Sequence, residues 1–487
     1  MSTCTFGATE RGSGLLVGMK RLVMVPVVLA ACGGDDHREI PDSPQGDAPV
    51  VTCTAPTGPG TMHSANITAD ETWRAADGPH IVTQVINVRG AAVTIEPCVE
   101  VRLHMGADIG IGQTAGAPPA KIVAHGSDTM PITFVPDTAG THWSSLRVFP
   151  TGSIDFEHVD LTGGGEQTTA QNYGGIIIAT GDGTATNIEK MLRLVNVSVK
   201  DSGGFGVNLQ GYAAFTDDST GLVISGSGKE PTGSALDTSF PMYIGTGVLH
   251  TIPSGTYTGN AKDAIAVFDQ GYVRMDETIH DRGVPYHVLG NITMSPTLSE
   301  ASGGLITLTI DPGVVLKLGH STGGAFSINL GTSGGSTPST IFPVRLVANG
   351  TAAKPITFTS NRDTPAAGDW AAIEWSGGPP TGNSIQHAII EYAGADSGTL
   401  GYGCGPGDND AGIIIANWMP TEAFISATTV KDSAAGGIVS GWISDIAGPD
   451  FKTGNTFSNI ANGCEVSVHK AMTSPICPGN DSIPDCY

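Results

Sequence analysis

The sequence predicts an all-β solenoid, and three observations predict it. Among 487 residues there are 68 Gly and 31 Pro but only 14% charged residues, a composition of many turns and little solvated helix. After residue 32, Val, Ile, Thr and Phe recur in short alternating runs between Gly, Asn and Asp clusters, and no segment carries apolar residues at helical spacing. The third observation is internal repetition: a series of phrases occurs twice in the same order, as in stacked repeating units.

The N-terminal segment is different in kind. Lys20 and Arg21 precede an apolar stretch, Leu22 to Ala31, that is too short to span a bilayer and has the shape of a secretory signal. It ends in Leu29-Ala30-Ala31-Cys32, which resembles the lipobox of bacterial lipoproteins. The resemblance implies that residues 1–31 are a lipoprotein signal peptide, with Met1 or Met19 as the start, and that Cys32 is acylated and becomes the first mature residue. Several acyl chains, at about 0.8 kcal/mol per buried methylene, make a stable anchor, so the membrane is an expected partner through lipid alone. Gly33 stands where retention at the inner membrane favours Asp, so the expected location is the outer membrane or cell surface. Residues 32–60, rich in Asp, Pro, Gly and Thr, read as a flexible tether.

Charge excludes one class of partner. The net charge of −23 falls to about −25 without residues 1–31, which carry Arg11, Lys20 and Arg21 against Glu10 alone. No cluster of Lys or Arg interrupts this acidic surface, and without one there are no counterions to release from a phosphate backbone. Nucleic acid is therefore not an expected partner.

The repeat spans most of the remaining chain, and its elements follow in order. Glu71-Thr72 and His80 are echoed by Glu277-Thr278 and Tyr286, and Val93 to Leu103 matches Leu308 to Leu318. Ile122 to Gly126 and Pro131 to Phe134 return as Leu346 to Gly350 and Pro355 to Phe358. Trp143 matches Trp370, His158 matches His387, Gly175 to Ala179 matches Gly412 to Ala416, and Val199 to Ser202 matches Val430 to Ser433. The offset grows from 206 at Glu71 to 237 at Gly175 and falls to 231 at Val199, so loops changed length while the strands kept their order. Residues 61–275 are taken as copy one and 276–487 as copy two with a C-terminal cap, in one continuous solenoid. In Val99 to Leu103 and Val314 to Leu318 the first, third and fifth side chains are apolar and should point inward. The runs Ile176 to Ile178 and Ile413 to Ile415 must either bend at a corner or be covered on both faces.

Several phrases carry a family resemblance. Ile310-Asp311-Pro312-Gly313 between two apolar strands, Pro355-Ile356-Thr357-Phe358 after Asn349-Gly350, Gly368-Asp369-Trp370 and Glu391-Tyr392-Ala393-Gly394 are of this kind. In them the chain resembles right-handed parallel β-helix repeat-containing bacterial lipoproteins over about residues 65 to 475. The resemblance implies that fold and no single activity, because the architecture hosts polysaccharide lyases, glycosidases and adhesins alike. Six cysteines follow Cys32: Cys53, Cys98, Cys404, Cys464, Cys477 and Cys486, an even number suited to disulfides and spaced for no zinc site. Cys98 departs from Gly313 of the second copy, which predicts a Cys53–Cys98 bridge at the N-terminal end, with Cys477 and Cys486 helping to cap the other.

No constellation specifies a reaction. His158, His387, Trp143, Trp370 and the Lys-Asp-Ser phrases are duplicated and are expected to serve the repeat. Trp375, Trp418 and Trp442 are unduplicated, and in an exposed row they would stack on sugar rings, although burial is the blander expectation. No cofactor is expected, apart from a calcium site at Asp408, Asn409 and Asp410, whose oxygens suit that ion. The expected function is a non-catalytic envelope lipoprotein presenting its β-helix for adhesion, glycan binding or surface structure, with a polysaccharide or cell-surface ligand. The alternative is a polysaccharide lyase or glycoside hydrolase acting on an extracellular glycan. That alternative requires Asp217, Asp218 or Asn361 to Asp363 in a groove, with a cation or second acid at bonding range.

Overall fold

Alternation decides which way each strand faces. In Gly152–Glu157 (GSIDFE) the positions Gly152, Ile154 and Phe156 are buried while Ser153, Asp155 and Glu157 are half-buried, the period of two that a pleated strand imposes. Val99, Val101 and Leu103, and likewise Val314, Leu316 and Leu318, are all buried, as their spacing predicts. The computed structural model describes residues 52–166, 174–228, 236–295, 305–331, 344–375, 379–398, 410–417, 419–442 and 448–467, with the backbone alone at 416–417 and 440–442. The signal, Cys32, Cys404, Cys477, Cys486, Asp408, Asn409 and Trp418 lie outside the described residues.

The described chain is all-β, with two short 3-10 segments, Ala75–Asp77 and Thr246–Thr251. Its strands form sheets of 14, 13, six and five strands, besides one two-stranded pair. Within the four large sheets every pair is parallel, as in Ile109–Ile111 with Leu146–Val148 and then Gly175–Thr180 and Phe205–Gln210. Parallel neighbours need a long crossover. Here the crossovers are themselves made of strands: up to Ser254–Thr256 the 13-stranded sheet takes about one strand in three and the 14-stranded sheet takes the other two. The arrangement is compatible with a parallel β-helix. No described helix is long and apolar enough to cross a membrane.

Pairing in register stacks like on like. Val101, Phe134, Leu161, Val199 and Ile224 are partners in turn, and every one is fully buried. Each such side chain contributes about 1.5 to 3 kcal/mol of burial, and the ladder makes one continuous core. The triple-isoleucine runs are covered on both faces: Ile413 and Ile415 belong to the main core, while Ile414 packs with Ala372, Ala411 and Val439 in a separate cluster.

The repeated phrases share turns as well as strands. In Glu96-Pro97-Cys98-Val99 and Asp311-Pro312-Gly313-Val314 the fourth N–H donates to the first carbonyl at 3.3 Å, and the third residue has φ 67° in one and 94° in the other. Pro second and a positive φ third define a type II turn. Cys98 thus occupies a glycine position, and it is bonded to Cys53, 45 residues away, as expected. Cys464 is buried and also disulfide-bonded.

The repeated strands do not fall on the same sheets. Gly175–Thr180 lies in the 13-stranded sheet and its counterpart Ala411–Asn417 in the six-stranded one. Ile132–Pro136 lies in the 14-stranded sheet, whereas Ile356–Ser360 joins the 13-stranded one. Among the described residues, six strands and the Thr246–Thr251 segment lie between Phe205–Gln210 and Glu277–Ile279. The strands of the second series are thus displaced onto different sheets from their counterparts.

Candidate functional site

Among the described residues, a dense grouping of outward ionisable side chains lies on three adjacent strands, Ala120–His125, Gly152–Glu157 and Glu189–Val195. Register sets Asp155 beside Arg193 and Glu157 beside His125. Arg193 is the hub: Nη1 lies 2.9 Å from Asp155 and 3.5 Å from Glu157, and Nε lies 2.6 Å from Asp218. His125 Nε2 reaches the same oxygen of Asp155 at 2.9 Å, and Lys190 holds Asp217 at 2.6 Å. The Asp217-Asp218 pair thus has its cations at bonding range, one half of what the glycan-cleaving alternative requires.

Electrostatics define what this grouping can do. Burial alone pushes the Asp155 carboxyl up, but the hydrogen bonds and charges of His125 and Arg193 outweigh it and hold Asp155 below the usual carboxylate range. Hydrogen bonds from Thr216 and then Arg193 hold Asp218 low as well. A glycosidic general acid must keep its proton near neutral pH, and these two carboxyls are tuned the opposite way. They present fixed negative oxygens that accept hydroxyl donors.

Asp108 and Glu277, both buried, are pushed up by burial, and so is one carboxyl on the outward side that sequence reasoning missed. Glu189 is pushed up to about 7 by burial and by the Asp182 carboxyl hydrogen-bonded to it across a short turn. Two carboxyls in direct contact leave no room for the sugar ring that must sit between an acid and its partner, about 5 Å or more apart.

The other sequence candidates resolve into structure. Asn361 to Asp363 forms a turn brace: Arg362 Nε lies 3.1 Å from the buried Asp369, which also accepts from Ser360 at 2.6 Å and from the Ala366 N–H at 2.8 Å. Trp375 is corrected as a sugar-stacking residue, because it is 1% exposed, with Phe424 edge-on at 5.1 Å. It sits on the inward side of Ile373–Trp375, in line with the buried Leu330 and Ile415. Of Trp442 only the backbone is described, within the strand Gly436–Trp442. Asp410 is buried, and its carboxylate accepts from the backbone and hydroxyl of Ser397 at 2.9 and 3.0 Å. Among the described residues no group of three or more His, Cys, Asp or Glu is placed to hold a metal ion.

The duplicated residues serve the repeat in ways sequence did not specify. Trp143 and Trp370 are fully buried and donate Nε1–H to the carbonyls of Thr162 and Glu391, both at 2.8 Å. His158 and His387 share a backbone conformation, with φ 50° and 48°, and carbonyls that accept the Ile132 and Ile356 N–H groups at 3.2 Å. Ser202 and Ser433 donate to the carbonyls three residues on, at 2.6 and 2.8 Å, and Ser433 also accepts from the Ala435 N–H at 3.4 Å. Two further groups were marked in the sequence only by the repeat, without their partners: Glu277, buried and held by His250 at 2.9 Å, and a His63–His80–Trp73 stack at the first strands. Their partners come from neighbouring strands, which only pairing reveals.

No protein-family model, no curated protein and no solved structure matches the chain.

Proposed function

We propose that the chain is an exported lipoprotein, anchored at Cys32 to the outer membrane or cell surface, whose residues 61–487 form a right-handed parallel β-helix in two diverged copies. Its role in this reading is non-catalytic: adhesion, glycan binding or surface structure. One observation carries it. At this dense outward grouping Arg193 ties Asp155, Glu157 and Asp218 to one another, and Asp155 and Asp218 are both held as carboxylates, which suits a fixed recognition surface better than proton transfer.

The glycan-cleaving alternative draws on Glu189, an outward carboxyl pushed up to about 7. A panel of polysaccharides incubated with the intact chain, with and without calcium, separates the two. The expected outcome is retention on at least one glycan with no unsaturated or reducing-end products. Product release that disappears in Glu189→Gln would replace the binding reading with the enzymatic one.

A further inference from the structure

The N-terminal end of the core is closed by three rings. Thr61–His63 and Glu71–Trp73 are the two end strands of the 14-stranded sheet, and His63, Trp73 and His80 cluster there. The Trp73 indole lies 9° from the His80 plane at 5.1 Å and 4.3 Å from the His63 ring, and Trp73 and His80 are each 2% exposed. His63 Nε2 and His80 Nδ1 are 2.9 Å apart, His80 Nε2 lies 3.2 Å from the Arg74 carbonyl, and His63 Nδ1 lies 4.0 Å from Glu71. Glu71 Oε1 also accepts from Trp73 Nε1 at 2.7 Å.

Donor and acceptor rules fix the neutral state. The Arg74 carbonyl only accepts, so His80 Nε2 carries the hydrogen and His80 Nδ1 is a bare acceptor. His63 Nε2 must then donate to it, which leaves His63 Nδ1 bare and facing the Glu71 carboxylate. A first proton on His63 Nδ1 turns an acceptor facing an acceptor into an ion pair with Glu71 at 4.0 Å, which offsets part of what burial costs the charge. A second proton has only His80 Nδ1 to take it, and there it sets N–H against N–H across 2.9 Å inside a ring stack.

We propose that the His63–His80 pair is an acid-operated latch on the N-terminal end of the core, tolerant of one proton and opened by two. The charged groups facing it do not prevent this. Glu71 is used by the first proton, Asp77 acts on His80 only through its field, and Arg74 turns its guanidinium to Glu96 at 3.6 Å. Burial lowers both imidazoles from the ordinary value of 6.5, and the charge of His80 lowers His63 further. The sign follows: as pH falls through 6.5 the unfolded imidazoles take protons first, so the stability this end holds above that pH is lost below it.

Hydrogen–deuterium exchange of the intact chain from about pH 8 to about pH 4, corrected for intrinsic rates, tests the latch. Protection of Thr61–His63 and Glu71–Trp73 should fall by about tenfold per pH unit on the acid side, while Thr429–Ser433 and Thr456–Ile460 keep theirs. His80→Gln, which still donates and accepts but cannot charge, should hold its N-terminal protection in acid. Simultaneous loss of protection in all four strands, or an acid opening of His80→Gln identical to the parent's, overturns the proposal. If His80→Gln does not fold, His63→Gln serves in its place with the same two outcomes.

Discussion

Trp143 and Trp370 bind their twin carbonyls at the same 2.8 Å, while the equally buried Trp375 has no hydrogen-bond partner for its Nε1 among the described residues. The three therefore differ in what their replacement removes. Trp143→Phe and Trp370→Phe each leave a buried carbonyl without its donor and should cost about 2 kcal/mol beyond the volume lost. Trp375→Phe removes a group that was already unpaired and should cost about 1 to 2 kcal/mol less than either. Urea unfolding of the three variants gives the comparison, and equal losses would mean that the indole bonds add nothing. At this scale the sequence was legible wherever a residue was duplicated, because repetition marked it as serving the fold. It was silent on the partners of Arg193, which lie 38 and 25 residues away on other strands and come together only through register.

The strand-turn-strand element shows how far a local pattern reaches. Alternation in Val99 to Leu103 and Val314 to Leu318 was enough to assign the inward side chains, since a slip of one residue would have exposed them all. The Glu96-Pro97-Cys98-Val99 turn was legible through its twin, which carries glycine at the same left-handed position. The Cys53–Cys98 bridge closes a loop of 45 residues and should contribute about 4 kcal/mol by chain entropy. Cys53→Ser forfeits that and keeps a side chain at φ 67°, whereas Cys98→Gly forfeits it and relaxes the turn by about 1 kcal/mol. Cys98→Gly should accordingly have the higher denaturant midpoint of the two under oxidising conditions. The opposite order would show that Cys98 packs in that turn for reasons besides the bridge.

For the molecule as a whole, repetition in the sequence predicted stacked units, and the large parallel sheets agree with that. The anchoring prediction belongs at this scale too: the full chain should partition into the detergent phase of a Triton X-114 separation, and Cys32→Ser should move it to the aqueous phase. Retention of Cys32→Ser in the detergent phase would assign membrane attachment to something other than lipid at that residue. What no pattern in the sequence announced was the displacement of the second series onto different sheets, because it depends on strand pairing and not on any motif.

That displacement bears on valency. A duplicated binding surface ordinarily gains about a hundredfold or more in avidity when one polymer spans both copies, provided both sites open onto a common track. Here the second equivalent of any outward feature belongs to a different sheet from the first, so a linear polymer lying along one sheet meets each feature once. If the chain binds a linear glycan as proposed, the duplication should lengthen the structure and offer that ligand one place to hold where two copies in step would have offered two.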